Sequence, residues 1–257
     1  MKAMVLAAGL GTRLKPLTAD RPKALVEIAG RTLLEITLTR LREAGVNDVI
    51  VNVHHFADMV VEYLRAKNNF GMRIEVSRED LLLETGGGLK KAAWFFPGNS
   101  ATPPEAARPI EDQDQSFILH NVDVISNINL ARMVQFHHGS QALATLAVQD
   151  RNSSRYLLFD RQGQLCGRRL SAQPPELVRT SQPLQALAFS GIHVVSPRLL
   201  AMMTEEGVFS IIDTYLRLAG QGENILAFQE DESYWRDLGT PESVMQAELD
   251  VRNRVIQ

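Results

Sequence analysis

Leu6-Ala7-Ala8-Gly9-Leu10-Gly11-Thr12-Arg13-Leu14-Lys15-Pro16-Leu17-Thr18 is the stretch on which the reading of this chain turns. It follows a short apolar run at residues 3–7, which reads as a buried strand. Small side chains at Ala7, Ala8, Gly9 and Gly11 let the backbone N–H groups from Leu6 to Thr12 approach a phosphate chain. Arg13 and Lys15 add cationic contacts. Two commoner phosphate loops do not fit. The dinucleotide fingerprint needs a third glycine where Leu14 stands, and the Walker A pattern needs a Gly-Lys-Ser/Thr that does not follow. Taken alone, the stretch is either a phosphate loop or an ordinary tight turn.

Outward from this loop, helix and strand signals alternate. Residues 33–44 place Leu34, Leu38 and Leu41 at helical spacing, with Gly45 as a stop. Residues 48–53 (DVIVNV) read as a strand, 58–66 as a helix and 73–76 as a strand. This alternation predicts an α/β fold, a parallel sheet with helices on both faces. Residues 97–115, rich in Pro, Ala and acids, read as an exposed loop or insertion. A buried strand at 117–119 runs straight into Asn121 and Asp123; a helix at 130–138 and a strand at 142–148 follow. Residues 156–160 and 164–167 read as a hairpin about Gly163. A strand at 187–195, helices at 199–204 and 211–219, a strand at 224–229 and a closing helix at 241–251 complete the pattern. There is no repeat, and one mixed α/β domain is expected.

The bulk properties exclude several classes. A formal net charge of −3 over 257 residues gives no general attraction to nucleic acid or to an anionic membrane. No apolar run approaches the roughly 20 residues of a membrane helix, and no secretory signal precedes the first strand, so a cytoplasmic enzyme is expected. The only cysteine, Cys166, rules out an internal disulfide and a cysteine-based zinc cluster. His54-His55 and His137-His138 invite a zinc site, but adjacent histidines point apart and no third ligand is spaced to join them. Ser190 lacks the G-x-S-x-G elbow of a hydrolase.

The loop continues into Pro22-Lys23-Ala24-Leu25-Val26 and ends at Ile28-Ala29-Gly30. Together these segments resemble the two-part signature of the sugar-1-phosphate nucleotidyltransferases, LAAGxGTRLxPLT followed by PKxLVxIxG. Three further stations stand in family order. Leu83-Glu84-Thr85-Gly86-Gly87-Gly88 resembles a glycine-rich turn, in the version found in uridylyltransferases acting on N-acetylmuramic acid 1-phosphate. His120-Asn121-Val122-Asp123 ends a strand, where an open sheet places ligands and a carboxylate suits Mg2+. Many relatives have glycine where this chain has Val122. Tyr234-Trp235-Arg236-Asp237-Leu238-Gly239-Thr240-Pro241-Glu242 is similar to the family's W-x-D-x-G-T-P-E segment.

The resemblance covers residues 1 to about 247. It implies a Rossmann-like core, mainly parallel in its mixed sheet, within a single nucleotidyltransferase domain. Its nucleotide-binding part spans about 1–125 and its sugar-binding and closing part about 126–257. The implied reaction joins an NTP to a sugar 1-phosphate with Mg2+ as cofactor, releasing pyrophosphate. Leu6, Ala7, Ala8, Gly9, Gly11, Thr12 and Arg13 would wrap the triphosphate, Arg13 steadying the departing pyrophosphate and Lys23 the α-phosphate. Thr85, Gly86, Gly87 and Asn121 would serve the nucleotide, and Glu84, Gly88, Gly191 and Asp213 the sugar. Asp123 and Asp237 would hold the metal, with Arg13, Lys23 and Asp123 catalytic. Gly191 lies in Phe189-Ser190-Gly191-Ile192-His193, similar to the family's FxGIxxxxP strand; Asp213 equally suits a helix N-terminus.

No Glu-Lys-Pro lysine is present to grip the sugar phosphate; Arg168 or Arg169 are candidates, or exposed hairpin residues. UTP with N-acetylmuramic acid 1-phosphate is the substrate pair the ETGGG run favours. A guanylyltransferase for mannose 1-phosphate or a similar hexose or heptose phosphate, a phosphocholine or other alcohol-phosphate cytidylyltransferase and an idle NDP-sugar-binding regulatory protein are the alternatives. A monomer or small homo-oligomer is expected.

Overall fold

The computed structural model describes residues 1–97, 116–171 and 173–255. In chain order its strands and helices are β1 (Lys2–Leu6), β2 (Glu27–Ile28), β3 (Arg31–Thr32), α1 (Leu33–Glu43), β4 (Asp48–Val53), α2 (Ala57–Ala66), β5 (Arg73–Arg78) and α3 (Glu84–Lys91). There follow β6 (Phe117–Asn121), β7 (Val124–Ser126), α4 (Leu130–Gly139), β8 (Ala144–Gln149), β9 (Arg155–Phe159), β10 (Leu165–Leu170) and β11 (Glu176–Leu177). The last are β12 (Gln185–Val195), α5 (Arg198–Met202), α6 (Ile211–Gly220), β13 (Ile225–Gln229), β14 (Trp235–Asp237) and α7 (Pro241–Arg252). The fold is α/β, with a mixed sheet flanked by helices. The insertion read at 97–115 lies, beyond Pro97, outside the described residues. Among the described residues no helix is long and apolar enough to cross a membrane.

The chain divides into two compact units. The first comprises Met1–Glu84, Leu119–Ile128 and Ser233–Gln257. Its centre is parallel: β1 pairs with β4 from Lys2↔Asp48 to Leu6↔Asn52, and β4 pairs with β5. Ala3, Met4 and Val5 of β1 and Val49 to Val51 of β4 are fully buried, which is why these strands are continuous apolar runs. α1 starts at Thr32, whose hydroxyl accepts the Glu35 N–H at 3.0 Å, and buries Leu34, Leu38 and Leu41. β7 and β14 form a separate antiparallel pair in which Asp237 stands opposite Val124. α7 begins with a capping box between Thr240 and Ser243 and has Pro241 in its first turn.

The second unit comprises Thr85–Ile118 and Asn129–Glu232. Its spine is the eleven-residue β12, antiparallel to both β8 and β9. β9, β10 and β11 continue the antiparallel ladder, and β13 runs parallel to β8. The register of β12 against β8 shifts between Phe189 and His193, and Gly191 inside that irregularity has φ 74°. A glycine tolerates that left-handed backbone without cost, which gives Gly191 a structural reason to be glycine.

Candidate active site

The loop after β1 is fixed at both ends. The Ala7 N–H donates to Asn52 Oδ1 at 2.7 Å, and the Leu6 carbonyl accepts the Val122 N–H at 3.1 Å. Gly11 has φ 63°, its carbonyl accepts the Thr18 hydroxyl at 2.8 Å, and a Cβ there would lie 3.0 Å from the Thr18 methyl. The chain then closes a single 3-10 turn over Thr12–Leu14, leaving Thr12 and Arg13 exposed while Leu14 is buried. Gly9 is exposed with open space at its Cβ position. Small residues here therefore do two jobs: Gly11 makes the bend, and Gly9 leaves backbone accessible.

Four charged side chains gather in this unit. Lys23 Nζ forms an ion pair with Asp123 Oδ2, both side chains being largely buried. Asp123 lies between β6 and β7, and its carbonyl accepts the Leu238 N–H at 2.8 Å, alongside the β7–β14 ladder. That ladder brings together Asp123 and Asp237, more than a hundred positions apart in sequence. Burial and then the charge of Asp123 push the Asp237 carboxyl above its ordinary range, against the pull of Lys23, the Gly239 N–H and Arg13. Asp237 Oδ1 accepts that Gly239 N–H at 2.8 Å. Asp237 Oδ1 and the Arg13 guanidinium both border Gly239: a Cβ on this glycine would lie 2.5 Å from the former and 2.8 Å from the latter.

The residues present fit a hard divalent cation. Two neighbouring carboxylates, one with its proton affinity raised by burial and then by the charge of the other, are an oxygen donor set that a cation would relieve. Asn121 Oδ1, two residues from Asp123, is buried with no hydrogen-bond partner among the described residues. Among those residues no group of three or more His, Cys, Asp or Glu is placed to hold a metal, so further oxygens would come from an amide or backbone carbonyl, a phosphate or water. Val122 stands where the family resemblance expects glycine, yet its backbone φ is not positive and the residue is 3% exposed. The position is a core position, and valine fills it.

Other expected site residues lie in the second unit, apart from Glu84, which closes the first. The glycine run, read as a turn, forms the start of α3. The N–H groups of Gly86 and Gly87 donate to the Phe209 carbonyl at 2.9 and 3.3 Å, and Thr85 Oγ1 accepts the Ile211 N–H at 3.0 Å. A Cβ at Gly86 would collide with the Phe209 ring, so close packing accounts for this glycine. Gly88 is buried within the same helix, and Glu84 is exposed with φ 59°. Asp213 lies in the first turn of α6 and accepts from Arg168 Nη1 at 2.6 Å. Arg168 also donates to Glu176 at 2.7 Å, so it is engaged by two carboxylates. Arg169 lies over the Tyr156 ring, 4.9 Å from its centroid. Three of the four paired histidines have protein partners: His54 Nδ1 meets the Glu79 carbonyl, His137 Nδ1 the Thr145 hydroxyl and His138 Nε2 the Ser116 hydroxyl.

Two residues that hold the loop or a carboxylate, Asn52 on Ala7 and Gly239 on Asp237, are not candidates by sequence. Gly239 was visible only as part of a motif. Asn52 carried a signal, a carboxamide inside the otherwise apolar DVIVNV strand.

A glycine-containing loop, a lysine and two carboxylates stand together on a parallel α/β core, and the profile of the nucleotidyl transferase family matches residues 2–254. The chain belongs to that family, among its sugar-1-phosphate nucleotidyltransferases. More particularly, it is 34% identical over 249 residues to the N-acetylmuramate alpha-1-phosphate uridylyltransferase of Caulobacter vibrioides, covering 96% of this chain and 95% of that one. It is 28% identical to the UTP--glucose-1-phosphate uridylyltransferase of Synechocystis sp., over 100% of this chain but 65% of that one. In structure it is similar to HddC from Yersinia pseudotuberculosis complexed with GMP-PN, with TM-score 0.71 at 20% identity and coverage of 97% and 99%. That likeness is one of fold.

Proposed function

We propose that the protein makes a UDP-sugar from UTP and N-acetylmuramic acid 1-phosphate. The observation that carries the reading is the meeting of Asp123 and Asp237 beside Lys23 and Arg13, at the mouth of the β1 loop. In the inferred reaction an oxygen of the sugar 1-phosphate attacks the α-phosphorus of the NTP in line. One P–O bond forms, the bond to the bridging oxygen of the β-phosphate breaks, and pyrophosphate leaves with that electron pair. The nucleophile is already an anion, so neither a general base nor a covalent enzyme intermediate is needed.

The protein's task is to hold two polyanions in register. The exposed loop backbone and Arg13 hold the β- and γ-phosphates, and Lys23 offsets charge at the α-phosphate. Asp123 and Asp237 are the residues that would hold Mg2+, which supplies charge neutralisation and orientation of phosphate oxygens when bound. The choice of UTP and of this sugar rests on the likeness to the Caulobacter vibrioides enzyme and on the Glu84-Thr85-Gly86-Gly87-Gly88 run.

The test is pyrophosphate release from each of the four common NTPs against a panel of sugar 1-phosphates. Release with UTP and N-acetylmuramic acid 1-phosphate is expected. Release with GTP and mannose 1-phosphate alone would make it a guanylyltransferase; no release with any pair would leave an NDP-sugar-binding protein.

A further inference from the structure

The buried carboxamide of Asn52 does more than fill the end of β4. Asn52 is 2% exposed and Glu79 4% exposed, and all their side-chain polar atoms are committed to one chain of hydrogen bonds. Asn52 Oδ1 accepts the Ala7 N–H at 2.7 Å, where the phosphate loop leaves β1. Asn52 Nδ2 donates to Glu79 Oε1 at 2.7 Å, and Glu79 Oε2 accepts the Leu83 N–H at 3.0 Å. Glu79 is itself anchored by its backbone: its N–H donates to the Val53 carbonyl at 2.8 Å, and its carbonyl accepts from His54 Nδ1 at 2.8 Å. The result is a two-residue strut with one end on Ala7 and the other on Leu83, immediately before Glu84.

We infer that Asn52 and Glu79 are positioning residues for the nucleotide: they fix the start of the phosphate loop against the segment that enters the ETGGG run. The inference rests on the function proposed above, in which the loop holds the triphosphate and the run at 84–88 bears on the choice of nucleotide. Neither side chain has a polar atom left to offer a ligand, so their influence passes through Ala7 and Leu83. The direction of the hydrogen bonds matters, because each end receives a backbone N–H. Asn52 supplies one acceptor and one donor, and Glu79 supplies two acceptors. Either single isosteric change breaks the chain. Asn52→Asp sets two carboxylates against each other, and Glu79→Gln sets an amide donor against a second donor. The double change restores it, because Asp at 52 accepts from Ala7 and from the Gln at 79, whose oxygen accepts from Leu83.

The experiment is titration of the intact protein with UTP and with GTP in the presence of Mg2+, alongside the KM for the sugar 1-phosphate. Each single variant is expected to bind the nucleotide at least about tenfold more weakly, the scale of one buried polar mismatch. The sugar 1-phosphate KM is expected to rise less than the nucleotide affinity falls, because only the Leu83 end of the strut adjoins a residue, Glu84, expected to serve the sugar; a general loss of structure would not respect that split. The double variant is expected to bind the nucleotide within about threefold of the wild type. Single variants that bind as the wild type does would overturn the inference. So would a double variant that fails to fold, or that folds but binds as weakly as the singles. If a single variant does not fold, the double variant decides the question by the same criterion. A wild type that binds neither nucleotide would instead remove the proposed function, and the strut's role with it.

Discussion

Replacing Gly239 by alanine probes the site through its most crowded point. The backbone at Gly239 does not adopt a positive φ, so alanine can take its conformation. The new methyl would stand 2.5 Å from Asp237 Oδ1 and 2.8 Å from an Arg13 guanidinium nitrogen, and the third nearest atom also belongs to Arg13. Comfortable contact is about 3.5 Å or more, so both side-chain ends must retreat by roughly 1 Å. All three obstacles are ends of side chains, which move at little cost to the fold. Losing the Gly239 N–H bond to Asp237 costs about 1 kcal/mol, and stiffening the unfolded chain returns about 0.4–1 kcal/mol. The melting temperature should therefore shift by no more than about 4 °C. A displacement of ~1 Å at positioned groups costs about 10²-fold in rate. Steady-state pyrophosphate release should thus show kcat lowered about a hundredfold in a protein that melts almost normally. A rate within threefold of the wild type would refute the reasoning, since Asp237 and Arg13 would then not hold the reacting groups.

Lys23→Ala is expected to lower kcat by about 10²–10³-fold while leaving the sugar 1-phosphate KM little changed; a split the other way would assign Lys23 to the sugar. Gly86→Ala drives a methyl into the Phe209 ring and to 2.9 Å from the Phe209 carbonyl oxygen. Backbone has to give way there, and urea unfolding should show a loss of about 1–3 kcal/mol. His120 is buried, its ring pushed down to about 3 by burial and then by the charge of Arg40. Its unfolded counterpart takes up a proton below about 6.5, so this contribution to stability is complete above that value and declines as the pH falls towards 3. The loss by pH 5 is about 2 kcal/mol. His120→Asn, which keeps a donor for the Asn121 carbonyl, should remove that part of the acid sensitivity in urea titrations at pH 7.5 and 5.

Most of the fold could be read locally because its elements carry their own signals. β1 and β4 are apolar runs, α1 has leucines at helical spacing and a glycine stop, and α7 begins at Thr240-Pro241. α3 could not be read this way. Three glycines oppose a helix by propensity, and it is the contact with Phe209, distant in sequence, that settles their conformation. The three-residue strands β7 and β14 are too short for a period, yet their pairing brings Asp237 to Asp123. The expectation that the loop approaches phosphate follows from its small residues, whereas the roles expected of Lys23 and Asp237 come from family likeness. The Asn52–Glu79 strut needed the structure, because nothing in the sequence ties a strand-end carboxamide to a glutamate 27 positions later.

In the proposed reaction Asp123 and Asp237 together make the site that transfers the nucleotide. The most direct test is Mg2+-dependent pyrophosphate release by Asp237→Asn, measured with UTP and N-acetylmuramic acid 1-phosphate on protein shown to be folded. Turnover should be abolished although the thermal transition persists. Turnover near the wild-type rate in the same Mg2+ would contradict that assignment.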